Sequence, residues 1–266
     1  MPSYVVTGSN RGLGYAFLVH LAAIPGNTVI GLARDVAKTK EKLATDGINN
    51  VHVFAADITD IKALQLAAEE TAKITGGSLD VLINNAGYVS KQSAWSSLPD
   101  ITPEALEEDL LTSFKINVVG VAHTISAFLP LIRKGQQKKV ITISTGMADL
   151  DFTNHFTIPI AGPYAVSKAG TNELVAKYNA AAGKAEGILF MSISPGVVAT
   201  SDEPPTEQDM AGAQAMFAMF SAYAPDFKGP MQPAESVQMV MQVVDKATVE
   251  TMGGAFVSHF GTKQWL

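Results

Sequence analysis

Three stretches of the 266-residue sequence carry residue types and spacings suited to chemistry. The first is Pro163-Tyr164-Ala165-Val166-Ser167-Lys168. Residues i and i+4 of a helix share a face, so Tyr164 and Lys168 point the same way. A free phenol titrates near pH ~10 and is a poor proton donor and acceptor at neutral pH. A neighbouring ammonium favours the phenolate and lowers that value, which makes the pair an acid–base unit suited to carbonyl–alcohol chemistry. The second stretch is Thr7-Gly8-Ser9-Asn10-Arg11-Gly12-Leu13-Gly14. Gly8 allows a tight turn, Gly12 lets backbone approach a pyrophosphate, and Gly14 lets a helix pack close to a strand. Amides exposed at the start of the following helix would hold the anion. The spacing is G-x-x-x-G-x-G, not the commoner G-x-G-x-x-G.

The third stretch, Gly31-Leu32-Ala33-Arg34, lies where a dinucleotide-binding unit tests its cofactor. An acidic residue there would bond a ribose 2′-hydroxyl. Ala33 is uncharged and Arg34 follows it, while Arg11 sits in the glycine turn. Two guanidiniums can clamp a 2′-phosphate with charge-assisted hydrogen bonds. NADP(H) is therefore expected over NAD(H).

Positioning these residues requires a regular scaffold. Near-continuous apolar runs predict strands at Tyr4–Thr7, Thr28–Ala33, Val51–Ala55, Val81–Asn84, Val140–Ser144, Ile188–Ser194 and Ala255–Ser258. Such runs suit a parallel sheet covered on both faces. Helical spacing predicts Leu13–Ile24, Ile61–Lys73, Pro103–Arg133, Tyr164–Ala182 and Ala234–Lys246. The alternation predicts an α/β fold: one doubly wound, seven-stranded parallel sheet of the Rossmann type, three layers deep. One domain is expected over residues 1–266. The segment Ser201–Pro233 breaks the rhythm with five prolines around a Met- and Phe-rich helical piece. It is expected to be a substrate lid after strand six.

Composition narrows the function classes. The charge is 19 − 25 = −6, which argues against nucleic-acid backbone binding. There are no cysteines, so disulfides, thiolate zinc sites and cysteine nucleophiles are excluded. No metal site is expected. Met1-Pro2-Ser3 runs straight into Tyr4-Val5-Val6, without a basic region and an apolar stretch behind it, so no targeting segment is expected. The uncharged run Ile116–Ile132 contains Asn117, His123 and Pro130 and reads as a buried helix rather than a membrane span. A soluble, cytoplasmic protein is the expectation.

Taken together, these motifs resemble the short-chain dehydrogenase/reductase family in its single-domain, NADP-preferring branch. The resemblance covers nearly the whole chain. Thr7-Gly8-x-x-x-Gly12-x-Gly14 matches the family's cofactor turn, with Ser9, Asn10, Arg11 and Leu13 inside it. Asp57, with Ile58 after it, matches the adenine-contacting acid. Asn84-Asn85-Ala86-Gly87 matches the stretch after strand four, which implies cofactor contacts from Asn84, Ala86 and Gly87. Pro195-Gly196-Val197-Val198-Ala199-Thr200 matches the loop at the nicotinamide carboxamide and implies contacts from Pro195, Val198 and Thr200. Tyr164, Lys168 and Asn117 match three members of a catalytic tetrad, and Tyr164 and Lys168 are also implied to touch the cofactor. The fourth member, usually a serine after strand five, meets Ile143-Ser144-Thr145-Gly146 here. Alignment by the strand end favours Thr145, with Ser144 the alternative. Successive strand residues face opposite ways, so only one of the two hydroxyls is expected to reach the site.

The resemblance implies reversible hydride transfer between NADP(H) and a carbonyl or alcohol. Tyr164 would act as proton donor and Lys168 would lower its pKa. Thr145 or Ser144 would hold the oxyanion, and Asn117 would fix a relay water. The thioethers and aromatics of Ser201–Pro233 suit a bulky apolar or aromatic ketone. Trp95 could reach the same pocket or serve packing. The spacer from Thr145 to Tyr164 is long and holds Asp149, Asp151 and His155, candidates for the substrate mouth. By analogy, Pro103–Arg133 and Tyr164–Ala182 would make the two-fold interface of a homodimer or homotetramer. A non-catalytic NADP(H) sensor and an epimerase or dehydratase using the same tyrosine are the competing readings. Retained Tyr164, Lys168 and Asn117 argue against the sensor.

Overall fold

The β-branched runs do assemble into one parallel sheet. In the computed structural model, which describes residues 1–201 and 204–266, the strands are β1 (Ser3–Thr7), β2 (Thr28–Ala33), β3 (Val51–Ala55), β4 (Val81–Asn84), β5 (Lys139–Ile143), β6 (Leu189–Ser194) and β7 (Phe256–Ser258). Their order is β3-β2-β1-β4-β5-β6-β7 and all the pairings are parallel. Strand order reverses between β1 and β4, so a crevice opens beyond their carboxyl ends, where such sheets bind ligands.

The helices are α1 (Gly12–Ala22), α2 (Val36–Thr45), α3 (Ile61–Thr75), α4 (Pro103–Phe114), α5 (Gly120–Ile132), α6 (Leu150–Phe156), α7 (Gly162–Tyr178), α8 (Lys184–Glu186), α9 (Glu207–Tyr223), α10 (Pro233–Lys246) and α11 (Val249–Met252). Side chains alternate across each strand, so the sheet feeds two cores. Tyr4 and Val6 of β1 and Leu189, Met191 and Ile193 of β6 meet Phe17, Leu18 and Leu21 of α1 and Val237, Val240 and Val244 of α10. Val5 and Phe190, on the other face, meet Leu64 of α3, Ile125 and Phe128 of α5 and Val175 of α7.

Four elements depart from the sequence reading. Helix α2 goes unread because its apolar stripe is thin; Asp35 caps it by accepting from the Lys38 amide at 2.9 Å. The expected single helix Pro103–Arg133 is interrupted by a π turn at Lys115–Val119, and a second π turn, Asn179–Gly183, follows α7. Helix α6 stands where a loop was expected, with Asp149 accepting from the Phe152 amide at 2.9 Å. The stretch Pro103–Ile132 is long and apolar enough to cross a membrane by length and composition alone. Here Val121, Ile125, Phe128 and Ile132 are buried in the second core, and α5 packs on α3.

Candidate active site

At the end of β1 the chain turns tightly, and atomic clearance dictates its residues. Gly8 adopts φ +66°, and a β-carbon there would stand 2.8 Å from Ala86 Cα. At Gly14 a β-carbon would lie 2.1 Å from the Gly8 carbonyl oxygen. Thr7 Oγ1 accepts from the Asn85 and Ala86 amides at 3.0 Å each, and Asn85 Nδ2 donates to the Thr7 carbonyl at 2.9 Å. These bonds tie the turn to the loop after β4. Arg11 occupies the N-cap of α1 without a side-chain capping bond, so the first-turn amides lack the usual internal acceptor.

A groove of about 730 Å³ runs from this turn across the carboxyl ends of the strands. Asn10, Arg11, Gly12, Leu13, Ile58, Ala86, Gly87, Pro195, Val198 and Thr200 line it. Arg34 and Asp57 line it too. Asp57 accepts from the Thr59 amide and hydroxyl, both at 2.8 Å. The amide bond, then the hydroxyl and the positive charges of Arg34 and Lys115, hold the Asp57 carboxyl below its usual range despite partial burial. Lys115 lines the groove but escaped the sequence reading, because it sits in the π turn of a helix read as regular.

Two expected cofactor residues stand outside the groove lining. Ser9 is fully buried and donates its hydroxyl to the Leu32 carbonyl at 3.1 Å, bracing β1 against β2. Asn84 is buried in β4, where its Nδ2 donates to Thr142 Oγ1 at 3.3 Å; its neighbour Asn85 lines the groove instead.

The opposite end of the groove holds Tyr164 and Lys168, both in the first turns of α7. Lys168 is buried, and its Nζ donates to the Ile143 carbonyl at 2.7 Å. Burial lowers the Lys168 pKa to about 8. Burial pushes the Tyr164 pKa up to about 12, and the neighbouring Thr145 side chain works against that rise. The net shift of Tyr164 is upward because burial outweighs its neighbours, while Lys168 Nζ stands 6.0 Å from the ring centroid and is engaged with the Ile143 carbonyl.

The two hydroxyls after β5 face different neighbours. Thr145 meets Tyr164 and also caps the short turn Gly146–Ala148, accepting from the Met147 amide at 3.3 Å. Ser144 lines the groove, and its buried Oγ has no hydrogen-bond partner among the described residues. Asn117 sits in the π turn, outside the groove lining. Its Oδ1 accepts from the Tyr88 amide at 2.7 Å, while Nδ2 donates to the Tyr88 carbonyl at 2.9 Å and to Ser167 Oγ at 2.8 Å. Asn117 thus clamps the loop after β4 onto α7.

One face of the Met- and Phe-rich helix α9 packs inward, while Met210 and Phe217 stay exposed. Met216, Met219, Phe220, Tyr223 and the following Phe227 form a third apolar cluster with Phe152 and Phe156 of α6 and with Trp265. The Phe152 and Tyr223 rings meet edge-on at 4.9 Å. Trp95 braces the same helix: its Nε1 donates to Asp209 at 2.9 Å, and a β-carbon at Gly212 would stand 2.3 Å from the indole. Asp149 caps α6 and pairs with Lys263 at 3.3 Å, and His155 packs on Phe156; neither these two nor Asp151 lines the groove. Within the expected lid Ser201–Pro233, Asp202 and Glu203 lie outside the described residues.

Comparison with known proteins places this geometry. The family model described as short chain dehydrogenase matches residues 3–211. The short-chain dehydrogenase/reductase AacuF of Aspergillus aculeatus is 55% identical over 266 residues, with 100% of both chains covered. The short chain dehydrogenase virK of Hypocrea virens is 48% identical over 272 aligned positions, again with 100% of both covered. Among solved structures, the NADPH-bound carbonyl reductase from chicken fatty liver superposes with a TM-score of 0.78 at 25% identity, over 98% of each chain. The chain thus belongs to the short-chain dehydrogenase/reductase family of oxidoreductases.

Proposed function

We propose that the protein is an NADP(H)-dependent reductase of bulky apolar or aromatic carbonyl compounds. The observation that carries this reading is that Tyr164 and Lys168 line one end of the groove that begins at the glycine turn, with Thr145 acting on Tyr164 from behind that wall. The residues present fit the dinucleotide. The first-turn amides of α1 lack a side-chain cap, Ser144 Oγ is a buried orphan on the groove wall, and Arg11 and Arg34 suit a 2′-phosphate. When bound, NADP(H) supplies the two reducing electrons as a hydride. The solved neighbour that binds NADPH supports the same cofactor.

The chain's own residues supply the proton and the orientation. A phenol with a pKa of about 12 is protonated at neutral pH, the state required to deliver a proton to a carbonyl oxygen. Thr145 holds that hydroxyl and offers a second donor to the developing oxyanion. Lys168, kept protonated below pH 8, places positive charge at the same end of the groove. The carbonyl gains a hydride at carbon and the Tyr164 proton at oxygen, giving the alcohol. Asn117 positions Lys168 and Tyr164 indirectly, by fixing α7 through Ser167. The aromatic cluster beneath α9 supports the apolar substrate class, with α9 acting as the lid. Exposed Leu111 and Phe114 of α4 and Val166 of α7 support pairing of copies through these helices.

The test is incubation with NADPH or NADH and a panel of acetophenone, a naphthoquinone and cyclohexanone, following loss of reduced-nicotinamide absorbance. Turnover is expected with NADPH and the aromatic members. Tyr164→Phe should reduce kcat by about 10³-fold, within the range for a positioned proton donor, with NADPH affinity unchanged. Wild-type turnover in that variant would remove Tyr164 from the chemistry.

A further inference from the structure

The segment after β7 doubles back toward the catalytic end of the groove. Trp265 is buried to 3% exposure, with its ring stacked on Phe256 at 4.5 Å. Its backbone amide donates to the Tyr223 hydroxyl of α9 at 3.0 Å. Lys263, two residues earlier, lies over both the Phe256 and Trp265 rings and pairs with Asp149 at 3.3 Å. A β-carbon at Gly146 would stand 2.9 Å from Trp265 Cβ and Cγ, so the turn Gly146–Ala148 lies flat against this side chain.

That turn is the one Thr145 caps. Its other support is Ser194 Oγ, which accepts from the Gly146 amide at 3.0 Å. The Thr145 side chain, which acts on the proton affinity of Tyr164, therefore accepts from the Met147 amide of a turn braced by Ser194 and by Trp265. A hydroxyl in a reacting geometry is sensitive to displacements on the order of 1 Å. Sequence alone hides the connection, since 119 intervening positions separate residues 145 and 265.

We infer that Trp265 is a positioning residue, which holds the turn 146–148 so that Thr145 meets Tyr164, and which links that turn to the lid helix through Tyr223. The inference rests on the reading of Thr145 as the hydroxyl partner of Tyr164. It assigns Trp265 no contact with substrate or cofactor.

A double-mutant cycle on the full chain tests it, using the panel ketone with the highest kcat/KM. Trp265→Ala should lower kcat by about 10-fold, and Trp265→Phe, which keeps an aromatic face, should recover to within about 3-fold of wild type. In the Thr145→Ala background the same Trp265→Ala change should cost less than about 2-fold, because its effect passes through Thr145. NADPH affinity by calorimetry should stay within about 2-fold throughout, since the Trp265 ring lies outside the groove lining. Hydrogen exchange supplies a readout independent of turnover. Amides of 146–149 should exchange faster in Trp265→Ala than in wild type and stay protected in Tyr164→Phe.

Should Trp265→Ala fail to fold, Tyr223→Phe removes only the hydroxyl that accepts the Trp265 amide. A loss of about 3-fold in kcat, absent in the Thr145→Ala background, is then expected. Equal losses in both backgrounds, or unchanged exchange at 146–149, would overturn the inference while leaving Thr145 in place. Wild-type kcat in Thr145→Ala alone would instead defeat the reading of Thr145, and the inference with it.

Discussion

The groove end built by β1, β2 and α1 and the end built by β5 and α7 follow different construction rules. The first is made of backbone and empty space. Its critical features are amides at the start of α1, the clearance at Gly8 and Gly14, and one arginine after β2. The second is made of side chains brought from distant segments. Tyr164 comes from α7 and Thr145 from the end of β5, and Trp265 packs against the turn 146–148 from the segment after β7. Backbone-built sites depend on local spacing and fail when a single carbon is added. Sites built from side chains depend on packing partners and weaken by degrees.

That contrast predicts a ranking of effects. Gly14→Ala should be the most damaging, because its new carbon collides with the Gly8 carbonyl and with Asn85 Nδ2. Loss of two amide–phosphate bonds at about 1.5 kcal/mol each corresponds to a fall in NADPH affinity of about 100-fold, measurable by calorimetry. A tolerated alanine would break the claim that clearance governs this end. Arg34→Asp should come next. Removing one guanidinium–phosphate contact of about 1.5–3 kcal/mol should shift the NADPH-to-NADH preference by about 10- to 100-fold. An unchanged ratio would show that Arg34 does not touch the phosphate.

On the side-chain end, Phe152→Ala should destabilise by about 3 kcal/mol, the low end for a buried phenylalanine in a satellite cluster. It should raise KM for the ketone and leave NADPH affinity alone; a parallel loss of both would mean that the two ends are not separable. The smallest effect concerns pH. Burial lowers the Lys168 pKa from 10.5 to about 8, so the cation is lost as pH rises through that value. Reductive kcat should decline through pH 8 by several-fold. Between pH 8 and 10.5 the unfolded chain binds more protons than the folded one, so this group's contribution to stability rises with pH across that window. A kcat profile flat to pH 9 would remove the Lys168 charge from the reaction.

The strands were legible to within a residue because parallel strands that are largely buried read as apolar runs. The parallel order and the glycine turn were legible for a similar reason, since neighbouring residues set backbone conformation and clearance. Helix α2 was missed because half of its turns face solvent, and α6 because its only strong signal is the Asp149 cap. The π turn at Lys115–Val119 was hidden, and with it the place of Lys115 in the groove, since a one-residue bulge leaves the apolar period nearly intact. Asn84 was placed in the groove by motif, whereas strand alternation turns its side chain into the sheet toward Thr142.

By itself the sequence determined the fold class, the glycine turn, the arginine that suits a 2′-phosphate and the facing of Tyr164 with Lys168. All of these depend on residues within a few positions of one another. Only the tertiary structure decided which hydroxyl after β5 lines the groove, in which direction burial shifts the Tyr164 proton affinity, and what the inner face of α9 packs against. Those outcomes depend on contacts and desolvation between segments as much as 119 residues apart, such as Gly146 and Trp265. Local periodicity carries no record of them.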